Sequence, residues 1–308
     1  MLETPAGGDP VSTLLAALEL SPVPGPAAAQ QLPEVDDVFT AASLPRPGGR
    51  IYGGQVLAQA LLAADLTVAD GRLPHSLHGY FLRPGDVSEP VVLQVERLND
   101  GRSFSARRTH ALQFGKPILS MIASFQEEQP GLEYAEQPPS AALPPLEVPS
   151  SLAEFQTLDD PLARFWTRES AFDIRHQDGS LYLGPAATQT GRQMVWMRAR
   201  RKIEAPQAVH RALLAYACDQ VMLEPVLRAT GNHWLTKGLS VASLDHAMWW
   251  HRDVQVDEWL LFTQNSPSAQ GGRGLGAARV FDEHGRLVAS VAQEGMVRVP
   301  SADAGAGS

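Results

Sequence analysis

The hydrophobic and polar positions of the chain follow one order of patterns twice. An apolar helix is predicted over 55–64, followed by segments with the two-residue period of strands at 77–82, 91–98, 103–112 and 118–126. A second apolar helix is predicted over 209–227, followed by strands at 239–250, 258–266, 275–281 and 287–299. Because a helix that is apolar on most sides must be wrapped by other structure, the pattern predicts an α+β fold built twice from one helix and an antiparallel sheet.

The repeat also appears in the residues themselves. The run SLHGYFLRP at 76–84 corresponds to LDHAMWWHR at 244–252, and IASFQE at 122–127 corresponds to ASVAQE at 289–294. Between the copies, residues 129–150 contain six prolines, which is typical of an extended linker. We therefore predict a first domain over 1–128, a Pro-rich linker over 129–150 and a second domain over 151–308.

Composition excludes several classes of protein. The net charge of −9 argues against nucleic-acid binding, which needs a basic surface. The single cysteine, Cys218, excludes an intrachain disulfide and a multi-cysteine zinc site, and we predict no metal. Since no run of 18 apolar residues occurs and the N-terminus does not resemble a secretory signal, we predict no membrane association and a cytoplasmic location.

Familiar catalytic motifs are absent from the sequence. It contains no G-x-S-x-G, no G-x-x-x-x-G-K-[ST] and no H-E-x-x-H. The glycine-rich run at 271–276 precedes a predicted strand rather than a helix, so it predicts a turn or bulge and not a phosphate loop. Cys218 has no basic neighbour to activate it, and we interpret it as a small apolar core residue.

Three polar residues stand out against apolar surroundings. Asp219 lies in the predicted helix with no basic residue three or four positions away, and Gln293 shares a strand face with valine, leucine and alanine. Ser243 begins a strand and precedes Asp245 and His246, but neighbouring strand residues point to opposite faces and cannot form one catalytic triad. On the residues alone, a structural hydrogen bond explains Asp219 and Gln293 better than a catalytic role does.

Several motifs in order resemble the acyl-CoA thioesterase II family. They are YGGQV at 52–56, HGYFLRPGD at 78–86, GRSFSARR at 101–108, ASFQ at 123–126, ACD at 217–219, SLDHAMWWHR at 243–252 and VASVAQEG at 288–295. The resemblance covers about 35–299. It implies a double hotdog fold, two copies of a long helix wrapped by an antiparallel sheet, and hydrolysis of fatty acyl-CoA to free acid and CoA without a cofactor.

The resemblance also assigns roles. It implies that Asp219, Ser243 and Gln293 form the catalytic set that holds and activates one water, with Ser243 at a position where family members usually carry threonine. The helix start at Gly54 and Gln55 is our candidate for oxyanion and substrate binding, because a helix N-terminus presents free N–H groups and a positive dipole end. Candidates for binding the CoA phosphates are Arg107, Arg108, Arg198, Arg200 and Arg201.

Further expectations concern the number of active sites per chain, the oligomeric state and the alternative functions. Gln126 falls where the repeat places Gln293, and Gln59 falls nearest to Asp219, so we predict one competent site per chain, formed by second-half residues. A homo-oligomer is expected from the resemblance. The alternative functions are a catalytically silent acyl-CoA or acyl-carrier binding protein and a hotdog hydratase or dehydratase.

Overall fold

The computed structural model describes residues 8–23, 35–156, 158, 163 and 167–299. Its helices are α1 (Pro10–Ala17), α2 (Gly53–Asp65), α3 (Leu152–Gln156), α4 (Gln207–Cys218) and α5 (Glu224–Ala229). Its strands are β1 (Ser21–Pro22), β2 (Asp37–Ala41), β3 (Arg72–Phe81), β4 (Val91–Asp100), β5 (Phe104–Gln113), β6 (Lys116–Glu127), β7 (Phe172–His176), β8 (Arg192–Ala199), β9 (Ser240–Ser243), β10 (Asp245–Trp250), β11 (Leu260–Gln270), β12 (Arg273–Asp282) and β13 (Leu287–Arg298). No helix within these residues is long and apolar enough to cross a membrane.

The described strands form one antiparallel sheet whose order shows the duplication directly. The order is β1-β2-β4-β5-β6-β3-β10-β13-β12-β11-β8-β7, with β9 paired to β13. Reading outward from the central β3–β10 pair, β6, β5 and β4 of the first half correspond to β13, β12 and β11 of the second. The sheet therefore confirms the predicted repeat and its α+β double hotdog architecture.

The two central helices, α2 and α4, pack in one hydrophobic core with residues of both halves. Leu57, Leu61, Leu213 and Leu214 are fully buried in it. Their burial explains why both helices are apolar almost all round, since each one faces the sheet as well as the other helix.

The predicted helix over 209–227 is wrong in one important respect, because it is two helices. Helix α4 ends at Cys218, Asp219 caps it, and α5 begins at Glu224 with Pro225 in its first turn. A proline is tolerated there because its missing N–H has no partner in the first turn of a helix, whereas it would interrupt a continuous helix. Asp219 consequently lies at a helix end, where its side chain can leave the core.

The glycine-rich run at 271–276 is a sheet turn, as predicted, and it also shapes this helix break. Gly271 and Gly272 have positive φ angles of 61° and 75° in the turn between β11 and β12. A Cβ on Gly276 would collide with the carbonyl oxygen of Met222. The glycine thus lets the segment between α4 and α5 approach the sheet closely.

The Pro-rich segment between the halves runs along the outside of the second half. Trp196 donates its indole N–H to the Leu143 carbonyl at 2.9 Å, and the Leu143 N–H donates to Gln177 Oε1 at 2.8 Å. By contrast, Leu132 and Tyr134 are almost wholly exposed, at 106% and 89%. The later part of the segment is therefore bound to the sheet, and the earlier part projects into solvent.

Candidate active site

Asp219 is held at the junction of the two halves by the ends of both central helices. It caps the C-terminus of α4, and its Oδ2 accepts a 2.8 Å hydrogen bond from the N–H of Gly54 in the first turn of α2. The positive end of the α2 dipole therefore faces the carboxylate. A Cβ on Gly53 would come within 2.9 Å of the same oxygen, which explains why glycine occupies the helix start.

Asp219, Ser243 and Gln293 form a closed ring of hydrogen bonds. The Ser243 hydroxyl donates to Asp219 Oδ1 at 2.8 Å, and Gln293 Nε2 donates both to Asp219 Oδ1 and to Ser243 Oγ at 2.7 Å. The structure thus brings together the three residues that the resemblance selected. Asp219 and Ser243 are partly exposed, whereas Gln293 is completely buried.

The orientation of the Gln293 amide is set by His246, which lies behind it in the core. Buried His246 lies with Nδ1 at 2.9 Å from Gln293 Oε1 and Nε2 at 3.3 Å from the Cys218 thiol. Burial lowers the pKa of His246 despite the nearby Asp219 charge, so the imidazole is neutral. Because Oε1 can only accept, Nδ1 carries the proton and the amide NH₂ is directed at Asp219 and Ser243.

The α2 start does not provide the free donors that we predicted at Gly54 and Gln55. The Gly54 N–H is bonded to Asp219, and the Gln55 N–H donates to the Tyr52 carbonyl at 3.1 Å. The Gln55 side chain is buried, accepting from the Leu44 N–H and donating to the Ala42 carbonyl. Of the glycine pair, Gly53 is the residue that lines the adjoining cavity.

A cavity of about 600 Å³ opens beside the carboxylate, between the two halves. Its wall includes Asp219, Ser243 and Gly53, together with residues of both halves. Gln293 and His246 do not line it, so they lie behind the polar surface that a ligand would meet. A volume of this size is in the range that encloses small organic ligands. Within the described residues, no group of three or more His, Cys, Asp or Glu side chains is arranged to hold a metal ion.

Comparison with protein families matches both halves in the order of the chain. Residues 40–126 match the acyl-CoA thioesterase N-terminal domain, and residues 142–297 match the acyl-CoA thioesterase C-terminal domain. The chain belongs to the acyl-CoA thioesterase family. It is accordingly a thioester hydrolase by family.

Individual relatives of this thioesterase cover nearly the whole fold. The chain is 33% identical to acyl-CoA thioesterase 2 of Haemophilus influenzae, over 87% of this chain and 95% of that protein. It is 36% identical to human acyl-coenzyme A thioesterase 8, over 86% of this chain and 85% of that protein. The crystal structure of acyl-CoA thioesterase II TesB2 from Mycobacterium marinum superimposes with a TM-score of 0.72 at 37% identity, covering 94% and 99% of the two chains.

The arginines predicted to meet CoA phosphates lie away from the cavity of the thioesterase. Arg107, for example, is buried and pairs with Asp100 at 2.8 Å, and none of the five predicted arginines is among the cavity-lining residues. The arginines that do line the cavity are Arg46, Arg50 and Arg83, all from the first half. Sequence could not choose among these side chains because strand parity does not tell which loops meet at the junction of two halves.

Proposed function

We propose that this thioesterase hydrolyses fatty acyl-CoA by a water that Asp219 deprotonates. The observation that carries the proposal is a carboxylate on a cavity wall, with one oxygen fixed by Ser243 and Gln293 and the other by Gly54. Such fixed geometry lets a weak base act efficiently, because the entropy of placing the water and the carbonyl is already lost on binding.

The three residues have different roles in this proposal. Asp219 accepts the proton and the Ser243 hydroxyl orients the water, since both line the cavity. Gln293 holds these two side chains and does not contact the water, because it is completely buried and does not line the cavity. Gln293 is thus a positioning residue, with His246 fixing its amide.

The first turn of α2 supplies the electrostatic surface for the thioester carbonyl. Gly53 lines the cavity and Gly54 holds the carboxylate, so a carbonyl bound next to Asp219 lies against the positive end of the helix. In this proposal the oxyanion is stabilised at Gly53, while the Gly54 N–H holds Asp219 and the buried Gln55 side chain anchors the helix start to the Ala42 carbonyl.

The CoA portion is assigned to the first-half end of the cavity. CoA carries phosphates, and Arg46, Arg50 and Arg83 line this end. Arginine binds phosphate through paired donors, so three guanidinium groups at one mouth favour a polyanionic leaving group.

The test is thiol release from acyl-CoA, compared with release from the same acyl group on pantetheine, which lacks the nucleotide phosphates. We expect hydrolysis of both, with the pantetheine ester showing a higher KM, and a smaller difference in Arg50→Ala/Arg83→Ala. Binding of acyl-CoA without any thiol release would instead identify a silent binding protein, and hydration of an enoyl-CoA would identify a hydratase.

The assembly that we propose is a homo-oligomer formed through the outer face of the first half. Tyr80, Phe104 and Ile122 are 63%, 45% and 43% exposed there, in contrast to the second half, whose outer face is covered by the Pro-rich segment. Light scattering of the wild type and of Tyr80→Glu/Ile122→Glu tests it: a monomer in both proteins would refute the proposal.

A further inference from the structure

The wall of the active-site cavity is chemically divided between the two halves of the chain. The three arginines of the wall all come from the first half, which also contributes apolar side chains such as Ile51, Phe81 and Ile118, whereas the part contributed by α3 and by the loops around α5 and Tyr182 is apolar or aromatic and carries no basic side chain. The side chains of this part, called here the acyl wall, are Leu152, Phe155, Tyr182, Leu223, Trp234 and Leu235. Asp219 lies between the two ends, since it contacts Gly54 of the first half and Ser243 of the second.

Trp234 of the acyl wall is hydrogen-bonded to the buried carboxylate of Glu224. Its indole N–H donates to Glu224 Oε1 at 3.1 Å, and Glu224 is completely inaccessible to solvent. The other oxygen, Oε2, lies 2.7 Å from His176 Nε2 and accepts from Gln193 Nε2 at 2.8 Å. Burial alone would raise the pKa of Glu224, but the His176 charge and these hydrogen bonds lower it, so the carboxylate is ionised.

The cluster around Glu224 extends to other parts of the acyl wall. His176 Nδ1 lies 2.7 Å from the hydroxyl of Ser151, which directly precedes Leu152. The Tyr182 ring packs edge-on against His176 with centroids 5.4 Å apart, and it packs against Phe155 in a tilted arrangement with centroids 4.9 Å apart. A buried, hydrogen-bonded polar network rigidifies its members, so it holds Trp234 through the indole N–H, and its His176 ring packs against Tyr182.

Ser151, His176 and Glu224 have the residue types of a hydrolytic triad but not its access. Ser151 is 2% exposed and His176 is 5% exposed, and neither lines the cavity. A nucleophile must reach the substrate carbonyl, so this trio cannot perform acyl transfer in the observed fold. Its members instead support the acyl wall. Glu224 accepts a hydrogen bond from Trp234, His176 packs against Tyr182, and Ser151 directly precedes Leu152.

We propose that the acyl chain of the substrate lies along the acyl wall and that Trp234, positioned by Glu224, sets the longest chain that is accepted. The proposal rests on the thioesterase function described above. An aromatic ring that is free to change rotamer would admit longer chains. The Trp234 ring is hydrogen-bonded to the buried Glu224 carboxylate and therefore remains a barrier. Glu224 is therefore a positioning residue for specificity, although it never contacts the substrate.

The experiment measures kcat/KM for butyryl-, octanoyl-, dodecanoyl- and palmitoyl-CoA with wild type, Trp234→Ala and Trp234→Phe. We expect Trp234→Ala to shift the ratio of palmitoyl to octanoyl hydrolysis toward the longer chain by roughly tenfold, a typical discrimination for apolar pockets. Trp234→Phe keeps a ring but loses the N–H bonded to Glu224, so a smaller shift in the same direction is expected. The proposal places the barrier beyond the reach of a four-carbon chain, so kcat for butyryl-CoA should be unchanged in both variants.

Controls separate failure of this inference from failure of the thioesterase proposal. Tyr134→Ala removes an aromatic ring that is 89% exposed and does not line the cavity, and its chain-length profile should equal that of the wild type. Folded fraction is matched by circular dichroism, and Trp234→Phe provides a mild variant if Trp234→Ala unfolds. Wild-type hydrolysis with the same chain-length profile in both Trp234 variants would overturn the inference alone, whereas no thiol release from any substrate would overturn the proposed function.

Discussion

Each central helix ends in an aspartate, and the two aspartates have very different surroundings. Asp65 is the last residue of α2, and Asp219 caps α4. Asp219 accepts hydrogen bonds from three neutral groups and faces a cavity. Asp65 instead interacts with Arg211 of α4, and no hydrogen bond reaches its carboxylate within the described part of the chain. The cation next to Asp65 is the fifth residue of α4, Arg211, whereas the fifth residue of α2 is the apolar Leu57.

The comparison shows that both copies of the fold have a carboxylate at the end of the central helix. Only Asp219 has neighbours that suit a reactive carboxylate. Arg211 is buried and donates to the Pro74 carbonyl at 2.8 Å and to Asp253 at 3.0 Å, so a fixed cation occupies the region next to Asp65. Asp219 has donors that orient it without neutralising its charge. The chemistry therefore depends on the neighbours of the carboxylate rather than on its place in the repeat.

The largest expected effect comes from exchanging the two carboxylates for amides. Asp219→Asn should lower kcat by about a hundredfold to ten-thousandfold, the range associated with loss of a general base. Asn has nearly the same shape but cannot accept the proton, so KM for acyl-CoA should change little. Steady-state thiol release over a substrate series measures both constants.

Asp65→Asn is the matched control for this exchange, since it alters the equivalent helix end. It should retain kcat within about twofold. A large loss of kcat in Asp65→Asn, or near-normal kcat in Asp219→Asn, would show that the two helix ends are not divided in function as we propose.

The next effect concerns the glutamines of the last strand in each half. Gln293→Ala removes the amide that holds Asp219 and Ser243, and kcat should fall on the order of a hundredfold, as a misplaced reacting group does. Gln126→Ala should have little effect, because Gln126 is only partly buried while its neighbours Ala123 and Phe125 are fully buried on the core side of β6. Equal losses in both variants, at matched folded fraction, would contradict the asymmetry.

The same residues show where sequence reasoning was sufficient and where it failed. The repeat was accessible because strand period and motif order are local properties, and the three candidate residues came from the family resemblance. The equivalence of Gln126 with Gln293 is wrong, since the aligned letters ignore strand parity: Gln293 faces the core and Gln126 faces outward. Gln59 is not the counterpart of Asp219 either, because it is the seventh residue of α2, whereas Asp219 follows the last residue of α4.

The helix break at Asp219 could have been predicted from the sequence, whereas the residues that hold Gln293 and Trp234 in place could not. Pro225 in the run 209–227 is a local signal that the helix ends earlier. His246 behind Gln293 and Glu224 behind Trp234 depend on contacts between elements far apart in the chain. No periodicity of a single segment encodes such contacts, so only the assembled fold reveals them.

A third test uses limited proteolysis to ask which part of the Pro-rich segment is bound to the outer face of the second half. Limited proteolysis of the native protein should first cleave within about 129–134, where Leu132 and Tyr134 are exposed, and later within 135–150, where the chain is bonded to the second half. The two fragments should stay associated because α2 and α4 share one core. First cleavage within 209–227 would contradict the positions of α4 and α5.

The smallest expected effect is on stability, and it probes Asp65 alone. Burial raises the pKa of Asp65 from 3.8 to about 6, with the Arg211 charge opposing the shift. Between these two values the folded state binds more protons than the unfolded state, so the contribution of Asp65 to stability falls as pH rises and is least favourable above about pH 6. Asp65→Asn removes this ionisation and should stabilise the fold at about pH 7.5 by on the order of 1 kcal/mol, after allowance for solvent screening, and less at about pH 4. Denaturant unfolding of the variant and wild type at both pH values measures the difference. A stabilisation that does not change with pH would mean that Asp65 is as well solvated when folded as when unfolded, and that the two helix ends differ only in their hydrogen bonds.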